Sequence, residues 1–156
     1  MSRTIDLADA QQNAAYIVGE TDLDTLDAAA HEEGHLVRRI SLAGCRDKND
    51  LLQRIAKALA FPKTFGSNWD ALADCLGDLE WLPHAGGYVW LLDHAGDLRD
   101  ASERDLDMLC DILDDACKRW QDSGTPCFAF LALSDLGEAI QHGWFRASSG
   151  KPYQPR

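Results

Sequence analysis

Apolar residues along the chain fall into two patterns: short dense runs, and longer stretches in which they recur every three or four positions. The runs AAYIV (14–18), LVRRISL (36–42), YVWLLD (88–93) and CFAFLAL (127–133) are rich in aliphatic, β-branched or aromatic residues and predict strands. YVWLLD is continuous enough to predict a strand buried on both faces, as in a parallel sheet. Between the runs the period changes. Residues 49–60 place Leu51, Leu52, Ile55 and Leu59 on one helical face, and Pro62 marks the end of that helix. A second helix is predicted over 68–79. A third, over about 103–121, has Leu106, Leu109, Leu113, Ala116, Cys117 and Trp120 as its core face and Gly124 as its stop. Near the start, Thr21-Asp22-Leu23-Asp24 predicts a capping box opening a helix that Gly34 closes. Strands alternating with helices predict an α/β fold: a mostly parallel sheet of three to four strands packed with about four helices. At 156 residues the chain reads as one domain, 1–156, with no internal repeat.

Charge changes this picture more than composition does. Hydrophobic residues make up 46% of the chain and charged ones 26%, an ordinary globular balance, but the net charge is −11. Residues 70–115 hold thirteen acids against two bases, Arg99 and Arg104, so the whole excess sits in that stretch. Such a chain repels nucleic acid and anionic membrane surfaces and attracts basic partners. No basic patch interleaved with aromatics argues for RNA or DNA binding. The five cysteines (Cys45, Cys75, Cys110, Cys117, Cys127) are odd in number and form no CxxC. They predict buried thiols in a reducing, cytoplasmic protein. The opening residues MSRTIDLADAQQNAAY read as carrying no signal pattern, and the apolar runs are too short to span a bilayer.

Enzyme signatures are sparse. HEEGH (31–35) matches the HExxH zinc signature, whose chemistry needs both histidines on one helical face and the glutamate as base. Gly34 interrupts the helix, so His31 and His35 are expected to diverge, leaving a polar helix end and no metal. His94 follows Asp93 at a strand end, a common place for catalytic groups in open α/β sheets, yet no nucleophile stands at a recognisable spacing from it. His84 and His142 read as loop histidines. No Gly-rich phosphate loop and no nucleophile elbow occurs, so no cofactor is expected.

The helix in GSNWDALADCLGDLEW (66–81) is the unusual element. Asp70, Asp74 and Asp78 fall at about 0°, 40° and 80° on a helical wheel, and Leu72, Cys75, Leu76 and Leu79 at about 140–240°. Stability does not explain the acidic face. Like charges four apart repel, aspartate is a poor helix former, and Asp78 lies where the helix dipole disfavours an anion. The alternatives are a solvated face or an anionic surface held rigid for a basic partner.

FPKTFGSNWDALADCLGDL (61–79) resembles the signature of the barstar family, small intracellular inhibitors of ribonucleases. The resemblance runs upstream through LAGCRDKNDLLQRIAKALA and, more loosely, on to YVWLLD and CFAFLAL, covering about residues 36–133. It implies a barstar-like α/β fold and a helix that plugs a ribonuclease active site. Asp70 and Asp74 match the family's two aspartates on that helix, and Gly66 and Asn68 match the loop and helix start. The resemblance gives Asp74 the role of a phosphate mimic that meets the nuclease's arginines. The implied partner surface is Thr64, Phe65, Gly66, Asn68, Asp70, Ala73, Asp74 and Asp78, facing a basic extracellular-type or toxin ribonuclease. Three positions depart from the family pattern: Thr64 replaces a tyrosine, Ala73 a tryptophan, and Arg119 a glutamate. Residues 1–35 read as an appended strand and helix, 134–156 as a C-terminal tail that ends in a mobile SSGKPYQPR, and the chain as a monomer. The alternative functions are a barstar-fold interaction module without ribonuclease inhibition and, through HEEGH, a zinc hydrolase.

Overall fold

Four parallel strands form the centre of the structure: β1 (Ala14–Gly19), β2 (Leu36–Ser41), β3 (Tyr88–Asp93) and β4 (Cys127–Leu133). Their order is β2-β3-β4-β1, and a two-residue strand β5 (Phe145–Arg146) lies antiparallel beside β1 at Tyr16 and Ile17. The computed structural model describes residues 5–83 and 85–134 in full, and residues 145–146 by their backbone. The helices are α1 (Asp22–Glu32), α2 (Lys48–Ala58), α3 (Trp69–Asp78), α4 (Ala95–Ala101) and α5 (Glu103–Asp122). Among the described residues no helix is long and apolar enough to cross a membrane.

The sheet is buried on both faces, which is why its central strands read as unbroken apolar runs. Every residue of β3 and β4 is buried. Their side chains alternate between two cores. Trp90, Leu92, Ala129 and Leu131 face Leu51, Leu52 and Ile55 of α2, Leu72 and Leu76 of α3, and Leu109 and Leu113 of α5. Val89, Leu91, Phe128 and Phe130 face the other way, against Leu23, Leu26 and Ala30 of α1 together with Ile5 and Leu7. Residues 5–32, upstream of β2, thus supply the cover for one whole face.

Local signals were realised differently from expectation at four places. Thr21 has helical backbone angles and its side chain makes no capping bond. Asp22 instead turns its buried carboxylate back to accept from the Gly19 N–H at 2.9 Å, tying the helix start to the end of β1. The helix before Pro62 has already stopped at Ala60, which sits at φ +51°, while Phe61 N–H returns to the Ala56 carbonyl. Helix α4 was not foreseen. Strand β5 falls in the segment expected to be a tail; residues 135–144 and 147–156, including SSGKPYQPR, lie outside the described residues.

The carboxyl end of β3 carries a charged cluster. The His94 ring Nδ1 lies 2.8 Å from Asp93 Oδ1, its backbone N–H donates to Glu20 at 2.8 Å, and Arg39 lies 3.5 Å from Asp93. The hydrogen bond to Asp93, and then the nearby Glu20, Asp93 and Asp97 charges, raise the His94 pKa above its ordinary 6.5 against a smaller opposing effect of burial. Burial pushes Asp93 up, but hydrogen bonds from His94 and Ser41 and the charges of His94 and Arg39 outweigh it and hold the carboxyl below 3.8. The His94 contribution to stability is therefore complete below the unfolded value near 6.5 and is lost as pH rises through the raised folded value. His94→Asn keeps a residue that tolerates the left-handed φ of +54°. Denaturant titrations should show this variant less stable than wild type at pH 5–6 and the gap shrinking towards pH 9. A gap independent of pH would refute the linkage.

Candidate functional site

The acidic helix is capped at its start and packed along its length. Asn68 caps α3 by accepting from the Ala71 N–H at 2.7 Å, and its side-chain N–H₂ reaches back to the Gly66 carbonyl. A Cβ on Gly66 would stand 3.2 Å from that amide. The preceding loop is fixed by aromatic packing: Phe61 meets Phe65 at 4.9 Å and Trp81 at 5.7 Å, and Trp81 Nε1–H donates to the Leu59 carbonyl at 2.8 Å. At its other end α3 closes on Leu79, which is left-handed at φ +58° and buried.

Helix α5 holds α3 from the side. Trp120 Nε1–H donates to the Leu76 carbonyl and Arg119 Nη2 to the Ala73 carbonyl, both at 2.9 Å. Neither contact is legible locally, because the partners stand 44 and 46 residues apart. Their only sequence trace is Trp120 on the α5 core face and the charge reversal at Arg119. Gly77 leaves room for the Arg119 contact: a Cβ there would crowd Nη1 at 3.0 Å.

The structure gathers the sequence-predicted partner residues on one helix and the loop before it. Asp70, Asp74, Asp78, Asn68, Gly66 and Thr64 are exposed, and Ala73 and Phe65 half-buried. Leu72 and Leu76 are buried on the opposite side of α3. Asp70, Asp74 and Asp78 make no ion pair among the described residues. Their field is felt next door: partial burial raises the Cys75 thiol pKa, and the Asp74 and Asp78 carboxylates raise it further. The arrangement is an anionic face whose three carboxylates have no ion-pair partner among the described residues, with the Arg119 guanidinium at its edge. It offers bidentate acceptors to arginine.

HEEGH forms no comparable site. His31 is exposed in the last turn of α1, and Gly34 at φ +76° turns the chain away. His35 is buried rather than part of an exposed helix end: its Nε2 lies 2.7 Å from the Leu7 carbonyl, and its Nδ1 is enclosed without a partner. A Cβ on Gly87 would come within 2.7 Å of that nitrogen. His35 thus locks the amino-terminal segment onto the start of β3. Among the described residues no three His, Cys, Asp or Glu side chains are grouped to hold a metal ion. His84 and His142 lie outside the described residues.

All five cysteines are free thiols, with Cys117 and Cys127 meeting at 3.5 Å between their sulfurs in the core. Comparison with protein-family models gives a match over residues 35–132 to the family described as Barstar (barnase inhibitor), which spans well over half of the chain and all of β2 to α5. A search of curated proteins found no match.

Proposed function

The chain belongs to the barstar family, and from that premise we propose that it binds a basic ribonuclease and blocks its active site with α3. One observation carries the reading. Three exposed carboxylates stand on a single helix that is capped, packed and clasped in place, and none is paired within the described chain. A face so costly to the free protein is accounted for by a partner that neutralises it. In this reading Asp74 is the central phosphate mimic and Asp70 flanks it. Thr64, Phe65, Gly66, Asn68 and Ala73 shape the surrounding contact, with Asp78 at its rim. The work is done by occlusion and charge and needs no cofactor. We take the chain to act as a monomer, in a reducing cytoplasmic compartment that suits five unpaired cysteines.

The test is an RNA-cleavage titration with a panel of purified small basic microbial ribonucleases, barnase among them. Cleavage by at least one should fall to zero at one chain per enzyme. Full activity of every member at micromolar excess would overturn the proposal.

Association should also be fast and salt-sensitive, because the −11 charge is concentrated around α3 to α5. Stopped-flow mixing at low salt should give rates of about 10⁸ M⁻¹s⁻¹ or more, falling steeply with ionic strength towards the ~10⁵–10⁶ M⁻¹s⁻¹ of unsteered pairs. Rates that stay flat across the salt range would remove any steering role from this surface.

A further inference from the structure

Arg119 is the one cation in direct contact with the acidic helix among the described residues, and its position constrains the partner. On the α3 wheel Ala73 and Gly77 lie at about 300° and 340°, adjoining Asp70 at 0° and Asp74 at 40°. The Arg119 guanidinium touches both: it donates to the Ala73 carbonyl and lies over the gap left by Gly77. It is exposed and makes no ion pair among the described residues, although Asp115 and Asp122 stand within a turn of it on α5. It lines a groove of about 740 Å³ between α5 and the segment at Gln11 and Asn13, which Ala73 of α3 borders and to which Asp115, Lys118 and Asp122 also contribute.

A protein interface covers roughly 800 Å² on each side. A surface that buries Asp74 near its centre therefore also covers Arg119. A guanidinium taken out of water without a carboxylate is costly, and only one of its five N–H groups is used here. We propose that the Arg119 guanidinium, at the edge of α3 beside Ala73, receives an acidic side chain of the ribonuclease. This rests on the reading of α3 as the ribonuclease-binding helix and deepens it. The partner is a ribonuclease whose basic centre is bordered, about one helical turn away, by an aspartate or glutamate that forks onto Arg119. The small side chain of Ala73 leaves the approach open, and Gly77 lets the guanidinium lie flush with the helix. A charge so placed selects among ribonucleases, because one with a cation at this point meets a like charge.

The experiment uses the ribonuclease that wild type inhibits in the panel. Its affinity is measured for Arg119→Met, Arg119→Glu and Asp74→Ala, with circular dichroism melts as the folding control. Arg119→Met, which keeps the packing on Gly77, should weaken binding about tenfold or more, and Arg119→Glu distinctly further. A role confined to holding α3 would make the losses in affinity follow the losses in melting temperature of the free chain, and a ribonuclease variant without that carboxylate would then bind wild type unchanged. Gly77→Ala, whose Cβ would stand 3.0 Å from Arg119 Nη1 and shift the guanidinium slightly, should weaken binding in the same direction by less. Within the enzyme, one Asp→Asn or Glu→Gln variant should lose the same affinity and show no further loss against Arg119→Met. If both Arg119 variants bind within twofold of wild type while Asp74→Ala loses binding, the Arg119 contact is wrong and the reading of α3 stands. If Asp74→Ala also binds normally, the reading of α3 falls first and the Arg119 contact with it.

Discussion

Asp74→Ala should weaken binding of the inhibited ribonuclease by about 2 kcal/mol or more, and Asp78→Ala should cost clearly less. Both aspartates are exposed in the free chain and neither faces the core, so both variants should fold as wild type does. The difference lies in where a partner can remove water. Asp74 sits mid-helix, flanked by Asp70 on the same face and Arg119 at the edge, so a covering surface desolvates it fully. Asp78 is the last residue of α3, beside the turn at Leu79, where water retains access. Truncating a desolvated carboxylate also leaves the partner's arginines buried and unpaired, and that penalty makes up much of the loss. Titration calorimetry on both variants decides the matter. Equal losses, or none at Asp74, would contradict a contact centred on this turn.

The second large effect concerns stability. Asn13→Ala should lower it by about 3 kcal/mol, a fall in melting temperature of roughly 10 °C for a chain of this size. Asn13 is 3% exposed and satisfies three backbone groups at once. Its side-chain N–H₂ donates to the Cys117 carbonyl at 2.9 Å and the Thr125 carbonyl at 2.8 Å, and its Oδ1 accepts from the Cys127 N–H at 2.9 Å. One residue just ahead of β1 thus joins α5, the turn after it and the start of β4. Alanine leaves the buried Cys127 N–H without its acceptor and the Cys117 and Thr125 carbonyls without their donor. A thermal melt by circular dichroism reads the loss directly, and a melting temperature within two degrees of wild type would show that water replaces the amide at no cost.

Asn13 also shows where reading the sequence stops. Strands β1, β3 and β4 were legible because burial on both faces forces near-continuous apolar runs, whereas the edge strand β2, half-exposed at Leu36, Val37 and Arg38, was legible from its aliphatic and β-branched content. Helix α3 was legible because capping, period and charge agree on it: Asn68 before the first turn, Leu72 and Leu76 on one side, three aspartates on the other. Helix α4 was missed because seven residues with two buried side chains, Ala95 and Leu98, are too few to establish a period. Its start is hidden too, since His94 enters in a left-handed conformation and no side chain caps it. The capping box at Thr21 was misread because Asp22 has a stronger use for its carboxylate at the end of β1, and local pattern carries no information about that. His35 was rightly separated from His31 by Gly34, but its burial against Leu7 and Gly87 depends on a sheet that brings residues 28 and 52 positions away beside it. For the site, the acidic face was visible from spacing alone, whereas the Arg119 and Trp120 clasp was not. Contacts made across the fold between α5 and the α3 backbone leave no period to detect.

The claim that α3 occupies a ribonuclease active site is tested most directly by competition. The affinity of the wild-type chain for the inhibited ribonuclease is measured with and without a 3′-mononucleotide bound in that enzyme's active site. If the Asp74 carboxylate takes the place of the substrate phosphate, the two exclude each other, and nucleotide at ten times its own Kd lowers the apparent affinity about tenfold. An affinity unchanged by saturating nucleotide, with chain and nucleotide held by the same enzyme molecule, would contradict the account.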